Sequence, residues 1–344
     1  MGNLTERQKL ILALVIRDYI ESAQPVGSRR LVEEYGLDVS SATVRNEMVA
    51  LTDLGMLRQP YTSAGRVPTE EGYRYFVRQL MGHTDLPVNI KRTIVHQFYQ
   101  AGQDVDRWMR LAASVLAHQS QAASIVTAPH SERIRFKHLE LIGTRGRQVL
   151  MVLVLEGGEV RQQMLALAEP VSQERLSAAA EHLNQQCQNI DAEDIASLSG
   201  LLDSLEQDVL KLILDELRRS EKILAGEVYR DGITHVLAEP EFAEVEVARN
   251  ALRILEERPL LEDLLSRTVL ANDMGGVQVL IGGEGTWEEL RDCSMVLARY
   301  GVPGLVTGTL GVLGPIRMPY GRTISTVRFV AGLLSELVTE IHAD

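Results

Sequence analysis

Hydrophobic positions recur at helical spacing through most of the first 80 residues. Thr5 to Ser22 predicts a helix that begins with a Thr5/Gln8 capping box. A proline and a glycine separate it from a second short helix, predicted to run from an N-cap at Ser28 to Tyr35, where Gly36 ends it. A tight connection from Leu37 to Ser40 then leads into the next predicted helix.

The segment from Ser41 to Leu54 predicts a third helix with one apolar and one polar face. Ser40 or Ser41 can cap its N-terminus, where free N–H groups and the positive end of the helix dipole suit a phosphate. Arg45 and Asn46 are the residue types that pair with guanine and adenine edges in a major groove. The predicted core positions are Val44, Met48, Leu51 and Leu54. The alternative is an ordinary amphipathic helix with a solvated polar face.

A strand, a glycine-bearing turn and a returning strand are predicted after this helix. Met56 to Gln59 forms the first strand, Pro60 to Gly65 the turn, and Arg66 to Pro68 the return. The turn lets the backbone approach a ligand closely, and Arg66 is expected at its tip, within reach of a phosphate or a narrow minor groove. A plain exposed hairpin is the alternative. Three helices followed by a hairpin, however, match the winged helix-turn-helix plan.

The candidate DNA-binding residues lie on the second helix, the third helix and the predicted wing. They are Arg29, Ser40, Ser41, Thr43, Arg45, Asn46, Tyr61, Thr62, Ser63, Gly65 and Arg66. Thr69 is predicted to cap a following helix. Its aromatic residues, Tyr73 and Phe76, are expected in the core, because proteins that stack bases carry such side chains on a sheet or in a groove.

Beyond a polar linker at Gly82 to Val88, the pattern predicts an α+β body. A segment with a helical pattern, 94–121, precedes a short apolar run, 122–127, which can form a buried strand. Three strand-like runs, joined by short glycine-bearing turns at 143–146 and 156–159, then form an antiparallel meander. The meander strands are 135–142, 148–155 and 160–167. The later elements are helices at 172–187 and 201–225, strands at 277–282, 294–299 and 304–309, and a closing helix at 323–341.

Composition limits the class of protein. With 344 residues, 45% of them hydrophobic, the chain can bury a sizeable core and is expected to hold two or three domains. It has no apolar run of about 18 residues, so no membrane association is expected. The short apolar run at Leu10 to Ile16 lacks the flanks of a signal peptide. Two cysteines, Cys187 and Cys293, make no disulfide framework and favour a reducing compartment.

The net charge of −12 opposes general affinity for DNA, because polyanions repel acidic proteins. The first 85 residues, however, hold 10 basic and 11 acidic residues, and the remainder holds 25 and 36. Most of the excess negative charge therefore lies outside the predicted DNA-binding region. A locally basic surface can form there from Arg29, Arg30, Arg45, Arg58 and Arg66.

Several features suggest chemistry without defining a catalytic site. The glycine-rich loop from Ile281 to Thr286 resembles a phosphate-binding loop but lacks the Lys-Ser/Thr ending of a P-loop. The glycine-rich segment from Thr307 to Pro315 gives an equally weak signal. We therefore predict glycine turns for both segments. The cysteines have no CxxC spacing, and the histidines, among them His130 and His138, have no metal-binding spacing. We therefore expect no catalytic residues, no metal and no cofactor, and predict that the protein is not an enzyme.

Four motifs resemble the N-terminal domain of the HrcA family, the bacterial heat-inducible transcription repressors. They are QPVGSRRL (24–31), SSATVRNEM (40–48), LGML (54–57) and TSAGRVPTEEGYRYFV (62–77). The similarity extends through the whole chain. The resemblance implies a cytoplasmic homodimer that binds an inverted-repeat operator in double-stranded DNA upstream of chaperone operons and releases it on heat stress. It also implies that the chaperonin keeps the repressor active.

The resemblance further implies a GAF-like α+β domain that carries an inserted α+β dimerising domain. The predicted divisions are a winged-helix domain at 1–85, a GAF-like domain at 90–130 and 230–344, and the inserted domain at 130–230. Another division assigns the first two meander strands to the GAF-like sheet and starts the insertion after Leu167. A second functional hypothesis is a GAF-type small-molecule sensor or thiol enzyme, with the winged helix as a protein-docking module.

Overall fold

The chain divides into two units in the computed structural model, which describes residues 4–82, 84–131, 134–156, 160–197, 202–220, 227–269, 276–282 and 286–342. The first unit combines Met1–Ala128, Glu227–Gly301 and Gly308–Asp344, and the second combines Pro129–Gly226 and Val302–Thr307. Both contain helices and antiparallel strands, so the predicted α+β class is confirmed. The dimerising role and the GAF-like assignment remain predictions.

The first unit begins with a winged helix-turn-helix, which we call the reader (residues 4–81). Its helices are α1 (Glu6–Ser22), α2 (Ser28–Tyr35), α3 (Ser41–Asp53) and α4 (Glu70–Tyr75), and its wing pairs β1 (Leu57–Arg58) with β2 (Val67–Pro68). A π-helical turn, Phe76–Leu80, follows α4. The Thr5/Gln8 capping box of α1 and the Thr69 cap of α4 are present as predicted. The predicted Ser28 cap is wrong, because Ser28 already lies in α2 and Gly27 occupies the N-cap.

The remainder of the first unit is called the body. Its helices are α5 (Val88–Ala101), α6 (Val105–Ser120), α10 (Ile233–Leu237), α11 (Val245–Glu256), α12 (Arg258–Val269) and α13 (Tyr320–His342). Its strands are β3 (Ala123–Thr127), β8 (Val228–Asp231), β9 (Val277–Ile281), β10 (Cys293–Val302) and β11 (Val306–Pro315), in the sheet order β8-β3-β11-β10-β9. The segment 94–121 is helical as predicted, but it belongs to two helices, α5 and α6. Gly102, at φ +67°, interrupts it, and the Asp104 side chain caps α6.

Glycines within β11 correct a second prediction. The sequence predicts a glycine turn for Thr307 to Pro315, but the segment belongs to β11, in the middle of the sheet. A Cβ on Gly308 would lie 2.4 Å from the Tyr300 ring, and one on Gly311 would lie 2.5 Å from the carbonyl oxygen of Val296. These glycines therefore serve close packing inside a strand.

The second unit packs three helices against a three-stranded sheet. The sheet order is β5 (Phe136–Gly143), β6 (Gln148–Leu155) and β7 (Val160–Ala166), and the helices are α7 (Gln173–Cys187), α8 (Ala192–Ala196) and α9 (Ser204–Ser220). A short strand, β4 (His130–Ser131), pairs with the start of β11. The three predicted meander strands form this sheet together. The division that assigns two of them to another sheet is therefore wrong.

Some predicted features lie outside the described residues. These are the turn residues 157–159, the loop residues 283–285, residue 83 of the linker, and residues 201 and 221–225 of the helix predicted over 201–225.

Candidate nucleic-acid interface

Helix α3 is held by its apolar side and by a side-chain cap. Val44, Met48 and Leu51 are buried, as the helical spacing predicts. The fourth predicted core residue, Leu54, is 47% exposed, because the helix ends at Asp53 and Leu54 only caps its C-terminus. At the other end, the Ser40 hydroxyl accepts a hydrogen bond of 3.1 Å from the backbone N–H of Thr43.

The opposite side of α3 is open to solvent at its N-terminal half. Ser41, Ala42, Arg45 and Asn46 are exposed, whereas Thr43 is half-buried and its hydroxyl lies 2.9 Å from that of Ser40. Within the described parts of the chain, the Arg45 guanidinium forms no ion pair or hydrogen bond. A free cation beside free helical N–H groups is an arrangement that attracts phosphate, and it leaves Arg45 able to reach a base.

The tip of the wing comprises residues 59–64. The Gln59 amide donates to the carbonyl oxygens of Thr62 (2.9 Å) and Ala64 (3.1 Å), and the Ala64 N–H donates to the Tyr61 carbonyl at 2.9 Å. These bonds hold the turn without using its outward side chains. Tyr61 is 63% exposed, and Thr62 and Ser63 are exposed as well. The wing therefore presents an aromatic ring and two hydroxyls to solvent.

Arg66 lies at the base of the wing, which corrects the expectation that it occupies the tip. Its backbone N–H and carbonyl exchange hydrogen bonds of 2.8 and 2.9 Å with Val26. Its side-chain Nε donates to the Thr52 hydroxyl of α3 at 2.9 Å. Arg66 thus connects the wing to α3 and to the segment before α2. The sequence signals of a hairpin predict where its turn begins and ends, but they do not predict contacts of the turn with distant residues such as Val26 and Thr52.

Gly65 is predicted to let the backbone approach a ligand closely. In the structure it instead lets the wing approach the backbone of Pro25 and Val26. A Cβ at Gly65 would lie 2.3 Å from the Val26 carbonyl oxygen and 2.9 Å from the Pro25 carbonyl carbon. Contact of this kind leaves no space for a side chain, because neither neighbour is the end of a flexible group. The glycine therefore seats the wing against the segment before α2.

We predict that Gly65→Ala destabilises the protein by about 1–3 kcal/mol, the usual cost of overpacking, measured as a lower urea midpoint at unchanged slope. Gly82→Ala is the matched control, since a Cβ there meets nothing within 4 Å and its φ is not positive. Equal midpoints for the two variants would contradict the packing role of Gly65.

Other arginines of the reader differ in whether an acidic side chain pairs with them. Arg29 forms an ion pair with Glu33 at 2.9 Å along α2, and Arg30 forms one with the buried Asp18 at 2.9 Å. Burial raises the pKa of Asp18, and the Arg30 guanidinium opposes that rise. Arg58 is exposed on β1 and, like Arg45, has no ion-pair partner among the described residues.

Two residues that the sequence-based site omitted contribute to this surface. Arg58, which the sequence assigns to the locally basic surface but not to the candidate contacts, follows the buried Leu57 in a two-residue strand, and the alternation of the strand exposes it. Thr52 bonds both Arg66 and the Met48 carbonyl, and only its position one turn after Met48 hints at this role. The structure joins Ser40 to Thr43 and Arg66 to α3, whereas Arg29 lies apart on α2 beside Glu33.

The two cysteines lie buried in the protein. Burial raises the pKa of the Cys187 thiol to about 11, and burial together with Asp292 raises that of Cys293 to about 12. Both thiols are buried and protonated at neutral pH, as expected for inert cysteines. Within the described ranges, no helix is long and apolar enough to cross a membrane.

A winged helix-turn-helix with an exposed polar recognition helix defines a DNA-binding transcription regulator. Residues 106–324 match the family model described as HrcA protein C terminal domain. The heat-inducible transcription repressor HrcA of Roseiflexus castenholzii is 45% identical, over 99% of this chain and 96% of its own length. That of Thermomicrobium roseum is 42% identical, over 98% and 96%. The chain therefore belongs to the HrcA family of heat-inducible transcription repressors.

One solved structure supports the fold. It was reported as the crystal structure of a hypothetical protein at 2.2 Å resolution, and it aligns over 98% of both chains with a TM-score of 0.57 and 22% sequence identity. At this identity the likeness extends to the fold alone. The GAF-type sensor or thiol enzyme is not favoured by these relatives.

Proposed function

We propose that this repressor binds an inverted-repeat operator of chaperone operons as a homodimer and releases it on heat stress. The observation that carries the proposal is the exposed N-terminal half of α3, where Arg45 and Asn46 stand beside the Ser40 cap. Ser41, Thr43, the wing-tip residues Tyr61, Thr62 and Ser63, and Arg58 are proposed to add contacts to bases or phosphates. Arg29 is proposed to contact phosphate once DNA competes with Glu33. Gly65 and Arg66, which were candidates for contact, are proposed instead to hold the wing in position.

The homodimer is supported by the outer face of the β5-β6-β7 sheet. Strand β6 is apolar on both faces. Val149, Met151, Leu153 and Leu155 are buried in the core, whereas Leu150, Val152 and Val154 lie on the outer side. An antiparallel sheet that leaves one face in water alternates apolar and polar residues, so a run apolar on both sides is typical of a sheet covered on both sides.

The neighbouring strands extend this apolar outer face. Ile142 and Met164 flank Leu150 in register, and Val160 flanks Val154. These three flanking residues are 44%, 53% and 51% exposed. The free edge of β5 is closed by two α7 side chains, since Asn184 bonds Leu139 and Gln173 bonds Leu141 and Gly143. We therefore propose that a second copy covers the face of the sheet, with the two faces stacked about a two-fold axis.

Heat release then requires only that this interface weaken. Loss of the dimer removes the affinity gained by linking two readers, and a modest temperature rise suffices if the interface is marginally stable. The uncovered sheet would expose apolar surface of the kind that promotes aggregation, which supports the proposed dependence on the chaperonin. We assign this activity to the cytoplasm, where a bacterial operon lies.

The test uses the full chain to select duplexes from a random DNA pool. We expect an inverted repeat to be enriched, and we call that duplex the selected operator. Its affinity should fall steeply with salt, since each neutralised phosphate releases counterions. Sedimentation of the complex should give two chains per duplex. The absence of any enriched duplex would contradict DNA reading, and one chain per duplex would contradict the dimer.

A further inference from the structure

The reader is tied to the body at a point far from the linker in sequence. Arg317, between β11 and α13, is largely buried, and its guanidinium donates to Glu241 at 2.5 Å and also to Glu239. Its third nitrogen donates to the carbonyl oxygen of Ile20 at 3.3 Å. Ile20 lies in the last turn of α1, where carbonyls lack helical partners, so Arg317 completes the end of a reader helix.

A second arginine makes the reciprocal connection, from the reader to the body. Arg74 of α4 donates to the Ile281 carbonyl at the end of β9 at 2.8 Å, and it also binds Glu70 at 2.9 Å and Glu71 at 3.4 Å. The next residue, Gly282, has a φ of +63°, and a Cβ there would lie 2.3 Å from the Glu70 side chain. The carboxylate that orients Arg74 therefore packs directly against the body.

Two further contacts surround these ion pairs. The buried rings of Tyr73 in the reader and Tyr320 in the body lie 5.9 Å apart. The Ser325 hydroxyl of α13 donates to the carbonyl oxygen of Thr84 in the linker. The linker itself is therefore bonded to the body at its midpoint, and the reader touches the body through α1 and α4.

We infer that Arg317 and Arg74 fix the orientation of the reader on the body, and that they thereby set the half-site spacing that this repressor accepts. An untethered reader on a short flexible linker could turn to meet half-sites at many separations. Guanidinium groups that bind carboxylates and backbone carbonyls together constrain direction as well as distance. The inference rests on the proposed dimer, because spacing has meaning only for two linked readers.

The test compares the selected operator with a derivative carrying about 5 extra base pairs between its halves, which turns one half-site to the opposite face of the duplex. The parent protein should lose about 100-fold in affinity, because both readers can no longer bind at once. The double variant Arg74→Gln/Arg317→Gln should bind the two duplexes within about 3-fold of each other. Its affinity for a duplex with one half-site should equal that of the parent.

The matched control is Arg78→Gln/Arg92→Gln, which removes the same charge from exposed positions of the reader and the body and should keep the parental discrimination. Parental discrimination in the Arg74/Arg317 variant, or none in the parent, would overturn the inference. A loss of single half-site binding in that variant would also overturn it, since the arginines would then maintain the reader itself.

If the double variant does not fold, the single variant Arg74→Gln provides the test, because it removes the bond to the Ile281 carbonyl and leaves Arg317 in place. It should lower the parental discrimination, and an unchanged ratio would overturn the inference. Failure to enrich an inverted repeat in the first place would instead contradict the proposed function.

Discussion

Arg45→Ala is expected to weaken binding to the selected operator by about 10- to 100-fold, as loss of a base-reading arginine does. Arg45 is exposed in the first half of α3 and has no ion-pair partner in the described ranges, so its guanidinium is available to DNA without breaking an internal bond. The fold should be unaffected, because the residues that seat α3 are Val44, Met48 and Leu51 on the other face. The measurement is fluorescence anisotropy at fixed salt.

The control for this substitution is Arg92→Ala, which also removes an exposed arginine, but from α5 in the body. It should change operator affinity by less than about 2-fold, as expected for one distant, screened charge. Binding to duplexes with single base changes separates two roles for Arg45. A base-reading residue loses discrimination at one position, whereas a phosphate contact weakens all duplexes alike. Parental affinity in Arg45→Ala would contradict the assignment of α3 as the recognition helix.

The sequence predicts the structure of the reader best where that structure depends on residues a few positions apart in the chain. The Thr5/Gln8 capping box, the Thr69 cap and the buried face of α3 follow from spacings of three or four positions. Leu54 was misassigned because periodicity does not reveal the residue at which a helix ends. Ser28 was misassigned because glycine can also occupy an N-cap.

Contacts between distant segments could not be predicted. Nothing near Arg66 in the sequence indicates that it pairs with Val26 and Thr52, so glycine and arginine at a turn suggested a ligand-binding tip. The glycines of β11 were assigned to a turn for the same reason, since the Tyr300 ring that requires Gly308 lies in another strand. Arg317, which joins body and reader, lies in no recognisable motif. The lack of an ion-pair partner at Arg45 and Arg58, within the described ranges, also depends on where distant carboxylates lie in the folded chain.

Strand β6 carries apolar residues on both of its faces. The run VLMVLVL (149–155) predicts a strand, but its period does not distinguish a half-buried strand from one covered on both faces. In the structure, its alternate residues either lie in the hydrophobic core that includes residues of α7 and α9 or lie on the outer face. The outer residues therefore have no function in the core of the second unit, and a partner surface is the simplest reason for their apolar character.

Val152→Lys is expected to dissociate the dimer and to lower affinity for the selected operator by about 100-fold or more, the gain that linkage of two readers supplies. Val152 lies at the centre of the outer face, so a lysine there would place a charged ammonium group inside a stacked interface, where its desolvation is costly. The monomer should tolerate it, because the outer face of β6 is in contact with water until a partner covers it, and the ammonium group can stay solvated there.

Sedimentation velocity measures the dimer, and anisotropy on one-half-site and two-half-site duplexes measures the readers. Val152→Lys should bind the single half-site like the parent and lose only the advantage of the second half-site. Gln185→Lys adds the same charge at an exposed position of α7, on the helical side of the second unit, and should remain dimeric. A dimeric Val152→Lys variant would show that the sheet face is not the interface. A monomer that keeps full operator affinity would show that dimerisation does not contribute to DNA binding.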